Sequence, residues 1–201
     1  GEESDIVAKE MYAFDDRGGD RIALRPEGTA GVVRAYIEHG MASRPQPVRL
    51  AYLGPFFRYD RPQAGRYRQL HQFGVELIGD PAPSADAEVI DLQRSFYSEV
   101  GLFDLTLRIN SIGTPETRQR YIQALREYFA PHLESLSFDS QRRYETNVLR
   151  ILDSKEDADR EAIAGAPSIL DHLDDEDREH FEGVRACLDA IGVSYVVDPM
   201  I

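Results

Sequence analysis

The 201-residue sequence contains a single cysteine, no tryptophan and no long hydrophobic run. With Cys187 as its only thiol, the chain cannot form an internal disulfide or a cysteine-based zinc site, which suits a reducing compartment such as the cytoplasm. No apolar stretch approaches the roughly 18 residues of a membrane span, so no membrane partner is expected. The amino-terminal segment GEESDIVAKE has neither a basic nor an apolar block and does not resemble a secretory signal.

Lysine is also scarce, because the chain has 21 arginines and only two lysines in a sequence with a formal net charge of -13. Between Arg21 and Gln72 there are nine arginines and three acids, a local excess of six positive charges. The segment after Gly79 is acidic by contrast. A cationic surface on an acidic body indicates an anionic small molecule or a limited nucleic-acid contact. A solvated strand face with cross-strand ion pairs is the alternative explanation.

Turn residues and hydrophobic patterns predict the elements of the first part of the chain. Two short strands flank a turn at Arg17–Gly18–Gly19–Asp20. Thr29 is predicted to cap a helix that ends at Gly40. The segments VRLAYLGPFFRYD and RYRQLHQFGVELIG predict two longer strands, joined by a loop that contains Pro62 and Gly65.

Helical patterns dominate after Asp80. Ser84 is predicted to cap a helix that ends at Gly101. The inward face of that helix is predicted to hold Val89, Leu92, Phe96 and Val100. The alternating segment LFDLTLRI predicts a strand over residues 102–109, and Pro115 opens a further helix. The buried face of this helix is predicted to hold Tyr121, Leu125 and Phe129.

These elements predict an α+β protein. An antiparallel sheet with helices against it is followed by a mostly helical insertion, and the strand VSYVVD comes last. The corresponding boundaries are residues 1–112 for the core, 113–192 for the helical insertion and 193–201 for a strand that returns to the core.

Alternation with a period of two divides residues 66–78 into two unlike strand faces. One face holds Arg66, Arg68, Leu70, Gln72, Gly74 and Glu76. From Leu70 to Glu76 this face spans roughly 20 Å, about the length of an extended nucleotide joined to a small amino-bearing group. Gly74 leaves room for a group close to the backbone. His71, on the other face, is predicted to be a buried structural histidine.

Two segments, in this order, resemble the catalytic core of histidyl-tRNA synthetase: LRPEGTAGVVRAYIEHG at residues 24–40 and FRYDRPQAGRYRQLHQFGVE at residues 57–76. The first is similar to that family's Arg-Pro-Glu-Gly-Thr segment, and the second to motif 2 of the class II synthetases. LRILDSK, at residues 149–155, matches the family's insertion region. The resemblance covers nearly the whole chain in pieces and implies a class II synthetase-like antiparallel sheet flanked by helices.

The resemblance implies a histidine-binding pocket. Glu27 and Thr29, with Gly28 between them, would hold the α-amino group of histidine. Gln72 and Glu76 would complete the pocket, and Glu76 would favour the protonatable imidazole.

The resemblance also implies an ATP site. Arg58 would be the catalytic residue, bridging the histidine carboxylate and the α-phosphate, and Arg66 would hold the γ-phosphate of a bent ATP. Asp60 stands where the class has glutamate, and Leu70 stands where an aromatic residue usually lies under the adenine. Mg²⁺ bound mainly by the phosphates is expected, with no dedicated protein ligands.

The activity implied is ATP-dependent activation of histidine and its transfer to tRNA(His) by a homodimer. Arg61 and Gln63 would approach the acceptor end of the tRNA. Motif 1, motif 3, the second histidine motif and the anticodon-binding domain are not found in the sequence. The chain is therefore expected to be a core fragment that is inactive alone.

Two other interpretations use the same fold. The histidine-sensing regulatory subunit of ATP phosphoribosyltransferase would keep the amino-acid pocket without needing the ATP arginines. Arg58 and Arg66, present together with Glu27, favour the synthetase. A synthetase-like domain that senses uncharged tRNA within a larger regulatory protein is the second alternative.

Overall fold

The computed structural model describes residues 10–59 and 65–200, and within them the protein has an α+β fold, as predicted. The chain divides into two compact units, Gly1–Pro81 and Ala82–Ile201, each described separately below. The predicted boundaries at residues 112 and 192 remain predictions about domain organisation.

In the described residues 10–59 and 65–81, the first unit has two antiparallel strand pairs and one α-helix. Its elements are β1 (Ala13–Asp15), β2 (Arg21–Ala23), α1 (Thr29–Glu38), a 3-10 turn (Met41–Ser43), β3 (Val48–Phe57) and β4 (Gln69–Ile78). β1 pairs with β2, and β3 pairs with β4 along its whole length. The predicted strands are confirmed, although β4 begins at Gln69, so Arg66 and Arg68 precede the strand rather than belonging to it.

The turn between β1 and β2 has the predicted position. The Asp16 carboxylate accepts hydrogen bonds from the backbone N–H groups of Gly18 (2.7 Å) and Asp20 (2.9 Å). Gly19 takes a φ of 88°, a value that favours glycine because it has no Cβ. These local bonds explain why a glycine pair flanked by aspartates forms a tight turn here.

Helix α1 starts and stops at the predicted places, but Thr29 is not its cap. Thr29 is the first helical residue and Gly28 occupies the N-cap position without a side-chain bond. The carboxylate of Glu27 instead accepts a hydrogen bond from the Ala30 N–H, with both oxygens at 3.1 Å. A carboxylate at this end of a helix satisfies an orphan donor and complements the dipole. Gly40, with φ of 59°, ends the helix region as predicted.

The register of β3 and β4 sets which side chains share a face. Tyr52 lies opposite Gly74, Gly54 opposite Gln72, and Leu50 opposite Glu76. The face of Leu70, Gln72, Gly74 and Glu76 is half-buried, because it also carries Tyr52 and the buried Phe56. The opposite face is open, and the prediction that His71 is buried was wrong, since its side chain is exposed.

The second unit is mostly helical. Its α-helices are α2 (Pro83–Glu99), α3 (Pro115–Phe129), α4 (Phe138–Thr146), α5 (Arg160–Ala164) and α6 (Asp175–Ala190). Short 3-10 helices connect them, and β5 (Arg108–Ile109) pairs in parallel with β6 (Val196–Val197). The predicted buried face of α3 is confirmed, with Tyr121, Leu125 and Phe129 in the core.

Three expectations for the start of this unit were wrong. Ser84 lies inside α2, whose N-cap residue is Ala82. The residues buried from α2 are the small Ala85 and Ala87, which allow close packing, while Leu92, Phe96 and Val100 are exposed. The predicted strand over 102–109 is reduced to Arg108–Ile109, because its partner offers only Val196 and Val197 for pairing.

Asp159 is the fully buried acid of the second unit and is surrounded by donors. It accepts hydrogen bonds from the Ser137 N–H and hydroxyl (both 2.7 Å) and from the hydroxyls of Ser140 and Ser154 (both 2.5 Å). Burial raises the pKa of Asp159, but the hydrogen bonds from Ser140, Ser154 and Ser137 outweigh it and lower the pKa to about 2. Ser154 belongs to LRILDSK, so this segment is tied to α4 through a buried carboxylate.

Candidate functional site

The predicted site residues that the structure describes all lie in the first unit. They come from the segment between β2 and α1, from the end of β3, and from β4 with the residues just before it. Asp60, Arg61 and Gln63 lie outside the described residues.

Arg58 is anchored at one nitrogen of its guanidinium. Its Nε donates to the carbonyl oxygen of Pro26 at 2.9 Å, and its backbone N–H donates to the Arg68 carbonyl at 2.9 Å. The side chain is half-buried. Within the described part of the chain, its two Nη nitrogens have no hydrogen-bond partner, so their N–H groups remain available to an anion as a fixed planar fork.

Arg25 is a neighbour that the sequence prediction missed. Its Nε donates to the Pro55 carbonyl at 2.8 Å, and its own carbonyl accepts from the Phe57 N–H at 2.9 Å. Its guanidinium carbon lies 5.0 Å from the centroid of the Phe56 ring, within cation–π range. Its guanidinium also occupies the space that a side chain at Gly54 would need. Its place next to Pro26–Glu27 in the LRPEGT segment was the available signal.

Tyr52 was also missed, and it occupies the centre of the site face. A Cβ added to either Gly28 or Gly74 would overlap its ring. The space that Gly74 was predicted to leave open is thus filled by this side chain. The Gln72 amide nitrogen donates to the Tyr52 hydroxyl at 3.3 Å.

The two acids of the site have different surroundings. Glu27 is bonded to the Ala30 N–H at the start of α1. Glu76 is half-buried opposite Leu50, and its carboxylate has no hydrogen-bond or ion-pair partner among residues 10–59 and 65–200. A partly desolvated carboxylate in this position is suited to a cationic group.

The residues predicted to face ATP do not all lie on the same strand face. Leu70 lies opposite Phe56 on the site face and is half-buried. Arg66 is exposed and lies before β4. Arg68, predicted to share that face, has its guanidinium carbon 4.5 Å from the centroid of the Tyr59 ring. The alternation predicted from Arg66 onward therefore holds only from the start of β4.

Among residues 10–59 and 65–200, no group of three or more histidine, cysteine or acidic side chains could hold a metal ion. In the same residues, no helix has both the length and the apolar character needed to cross a membrane. A cavity of about 240 Å³ in the second unit is lined by Asn110, Arg118, Leu152 and Asp153, among others, and contains none of the predicted site residues.

The amino-acid sequence matches curated proteins closely. It is 56% identical over 198 residues to a histidine–tRNA ligase of Desulforamulus reducens, covering 98% of this chain and 47% of the relative. It is 52% identical over 200 residues to a histidine–tRNA ligase of Lysinibacillus sphaericus, covering 99% of this chain and 47% of the relative. The chain thus spans about half the length of these relatives.

Solved structures have the same fold. The crystal structure of apo Staphylococcus aureus histidyl-tRNA synthetase superposes with a TM-score of 0.74 at 44% identity, covering 98% of this chain and 46% of that one. A Bacillus halodurans protein titled as an ATP phosphoribosyltransferase regulatory subunit/histidyl-tRNA synthetase gives a TM-score of 0.61 at 24% identity, covering 98% and 55%. The second match shows a shared fold alone.

These similarities place the chain among the aminoacyl-tRNA synthetases. The sequence model described as "Histidyl-tRNA synthetase" matches residues 1–200. The chain belongs to the histidyl-tRNA synthetase family.

Proposed function

We propose that the protein containing this chain is a histidine–tRNA ligase, which activates histidine with ATP and transfers it to tRNA(His). The observation that carries the proposal is the position of Arg58. Its guanidinium is held by the Pro26 carbonyl, next to Glu27 in the chain, and it follows the strand that pairs with Gln72 and Glu76. A cationic fork beside Glu27, at one end of a strand face that carries Gln72 and Glu76, suits an amino acid bound together with a phosphate.

Histidine would lie on the face of β3 and β4. Glu27 and Thr29 would bind its α-amino group beside Gly28, while Gln72 and Glu76 would face the rest of the molecule. Glu76, half-buried and without a partner among the described residues, supplies the negative charge that favours a protonated imidazole. The Gln72 amide adds a neutral donor and acceptor, which suits the polar edge of the ring.

ATP would extend from Arg58 toward Arg66, with Asp60 nearby in the chain and Leu70 packing against the adenine. The histidine carboxylate is ionised at neutral pH and attacks the α-phosphorus in line. A bond forms between a carboxylate oxygen and that phosphorus, the bond to the β-phosphate oxygen breaks, and pyrophosphate leaves. This step needs no general base, so Arg58 contributes by orienting the reactants and stabilising the developing charge.

Mg²⁺ would be held mainly by the ATP phosphates and would neutralise their charge. Mg²⁺ usually keeps several waters and binds substrate phosphates, so it takes few ligands from the protein. The acceptor end of the tRNA would approach Arg61 and Gln63. We further propose a class II synthetase that acts as a cytoplasmic homodimer, as the family resemblance implies.

The alternative, a histidine-sensing regulatory subunit, is less well supported. Similarity to the Bacillus halodurans protein is 24%, compared with 56% to a curated ligase. Such a sensor also does not need to keep both Arg58 and Arg66.

The test is histidine-dependent ATP–pyrophosphate exchange by the product of the complete reading frame that encodes this chain. Arg58→Ala is expected to lower kcat by about 10²–10³, the usual cost of removing one preorganised donor to a developing charge. Arg34→Ala is the matched control, because Arg34 is exposed on α1. Absence of histidine-dependent exchange in the unaltered protein would reject the proposed function. Equal rates for Arg58→Ala and the control would remove Arg58 from the mechanism.

A further inference from the structure

Tyr52 connects two parts of the candidate site that are distant in sequence. Its ring occupies the space that side chains at Gly28 and Gly74 would need. The turn before α1 and the middle of β4 therefore both pack against the same aromatic ring. The ring also meets Phe56 edge-on, with centroids 5.8 Å apart. These contacts fix the height and tilt of the ring on the sheet.

The Tyr52 hydroxyl determines how the Gln72 amide is oriented. The Gln72 Nε2 donates to this hydroxyl at 3.3 Å. With the amide nitrogen bonded in this way, the carbonyl oxygen Oε1 points the other way, and it has no partner among residues 10–59 and 65–200. The Tyr52 proton is then available to donate in its turn.

We infer that Tyr52 is a positioning residue for amino-acid recognition: its hydroxyl holds the Gln72 amide so that Oε1 presents an acceptor to an N–H group of the substrate. The ring holds the Gly28 turn, and with it Glu27, against the same strand. The inference rests on the proposed function, because it concerns recognition by that site. It adds a side chain that neither the motif resemblance nor the strand alternation assigned a role.

A purely packing role and a positioning role predict different results for a single-atom change. Tyr52→Phe keeps the ring, and therefore its contacts with Gly28 and Gly74, but removes the oxygen that accepts from Gln72. The full protein with this change is expected to show a KM for histidine raised about fivefold, as for loss of one hydrogen bond, with little change in kcat or in the KM for ATP.

The matched control is Tyr36→Phe in the same unit. The Tyr36 hydroxyl donates to the Gln46 side chain at 3.5 Å, outside the candidate site, so this change should leave the KM for histidine unaltered. Thermal unfolding of both variants measures any general loss of stability. Equal KM values for Tyr52→Phe and the unaltered protein would overturn the inference.

A double-mutant cycle tests whether Tyr52 acts through Gln72. In a Gln72→Ala background, Tyr52→Phe should cause no further rise in the KM for histidine, because the amide it orients is gone. If the double variant raises the KM for histidine by the product of the two single effects, Tyr52 acts independently of Gln72. That result would overturn the inference.

A measurement that needs no activity separates this inference from the proposed function. In the 201-residue chain without substrate, Tyr52→Phe should shift the NMR signal of the Gln72 side-chain NH₂ group. An unmoved signal would overturn the inference. The signal could shift while the unaltered protein shows no histidine-dependent ATP–pyrophosphate exchange. That combination would reject the proposed function but would still support the Tyr52–Gln72 contact.

Discussion

At the residue scale, the Glu76 carboxylate is a candidate ligand-binding group because it has no partner of opposite charge among the described residues. Its half-buried carboxylate lies on the face shared with Tyr52 and Gln72, and no cation among the described residues pairs with it. A partly buried charge without a partner costs stability. Proteins accept such a cost at binding sites, where the ligand supplies the opposite charge.

We therefore expect Glu76→Gln to weaken histidine binding at least tenfold, since a hydrogen bond to a charged group contributes about 1.5–3 kcal/mol. Calorimetric titration of the full protein with histidine measures the effect. Glu38→Gln, at the exposed end of α1, serves as the control and should bind normally. Unchanged affinity in the Glu76 variant would mean that this carboxylate does not contact histidine.

Asp159 gives a prediction about stability rather than activity. Its pKa is lowered from 3.8 to about 2. A lowered pKa means that the ionised form is favoured by folding, so the contribution is present above about pH 4 and is lost as the pH falls toward 2. Asp159→Asn is expected to reduce the free energy of unfolding at pH 7 by about 2–3 kcal/mol, because serine donors lose a charged acceptor.

Urea unfolding at pH 7 and pH 3 measures this difference. The gap between the unaltered protein and Asp159→Asn should narrow at pH 3, where the native carboxylate has begun to lose its advantage. Asp153→Asn, an exposed position in the same segment, should change stability little at either pH. If the difference in free energy of unfolding between the two proteins is the same at pH 7 and pH 3, the ionised Asp159 carboxylate is not its cause.

At the scale of elements, the end of β3 is held by reciprocal bonds to the segment before α1. The Phe57 N–H donates to the Arg25 carbonyl, the Arg25 Nε donates to the Pro55 carbonyl, and the Arg58 Nε donates to the Pro26 carbonyl. Three bonds over so short a stretch fix the direction in which Arg58 leaves the strand. They connect residues about 30 positions apart in the chain.

Arg25→Met should loosen this connection, because it removes the donor to Pro55 while keeping much of the side-chain volume. We expect kcat for histidine-dependent exchange to fall about tenfold, through misplacement of Arg58. Hydrogen exchange of the Phe57 amide should become faster at the same time. Arg21→Met, at an exposed position on β2, should change neither quantity. Normal kcat with faster Phe57 exchange would show that the connection is structural only.

Elements were predictable where the information is local. The turn between β1 and β2, the stop of α1 at Gly40 and the buried face of α3 follow from residues within a few positions of one another. The strand over 102–109 failed for the opposite reason. Its alternation is regular, but a strand needs a partner, and only Val196 and Val197 pair with it.

At the scale of the whole molecule, the local excess of arginine and the excess of acidic residues lie in different units. The arginine-rich stretch lies in the first unit, which also holds every described residue of the candidate site, while the second unit contains the acidic helices. Net charge alone would have argued against any anionic ligand. For an anionic ligand the local excess is the more relevant quantity, because electrostatic attraction acts over about one Debye length.

Patterns in the sequence were sufficient to predict the α+β class, the order of most elements, the family resemblance and the candidate residues Glu27, Arg58, Gln72 and Glu76. These depend on short motifs and on periodicity, both of which are encoded by near neighbours along the chain. Three features became known only from the folded chain: Tyr52 lies between Gly28 and Gly74, Arg25 holds the end of β3, and His71 is exposed. The physical reason is that burial and side-chain partners depend on contacts between distant segments, which a local pattern does not specify.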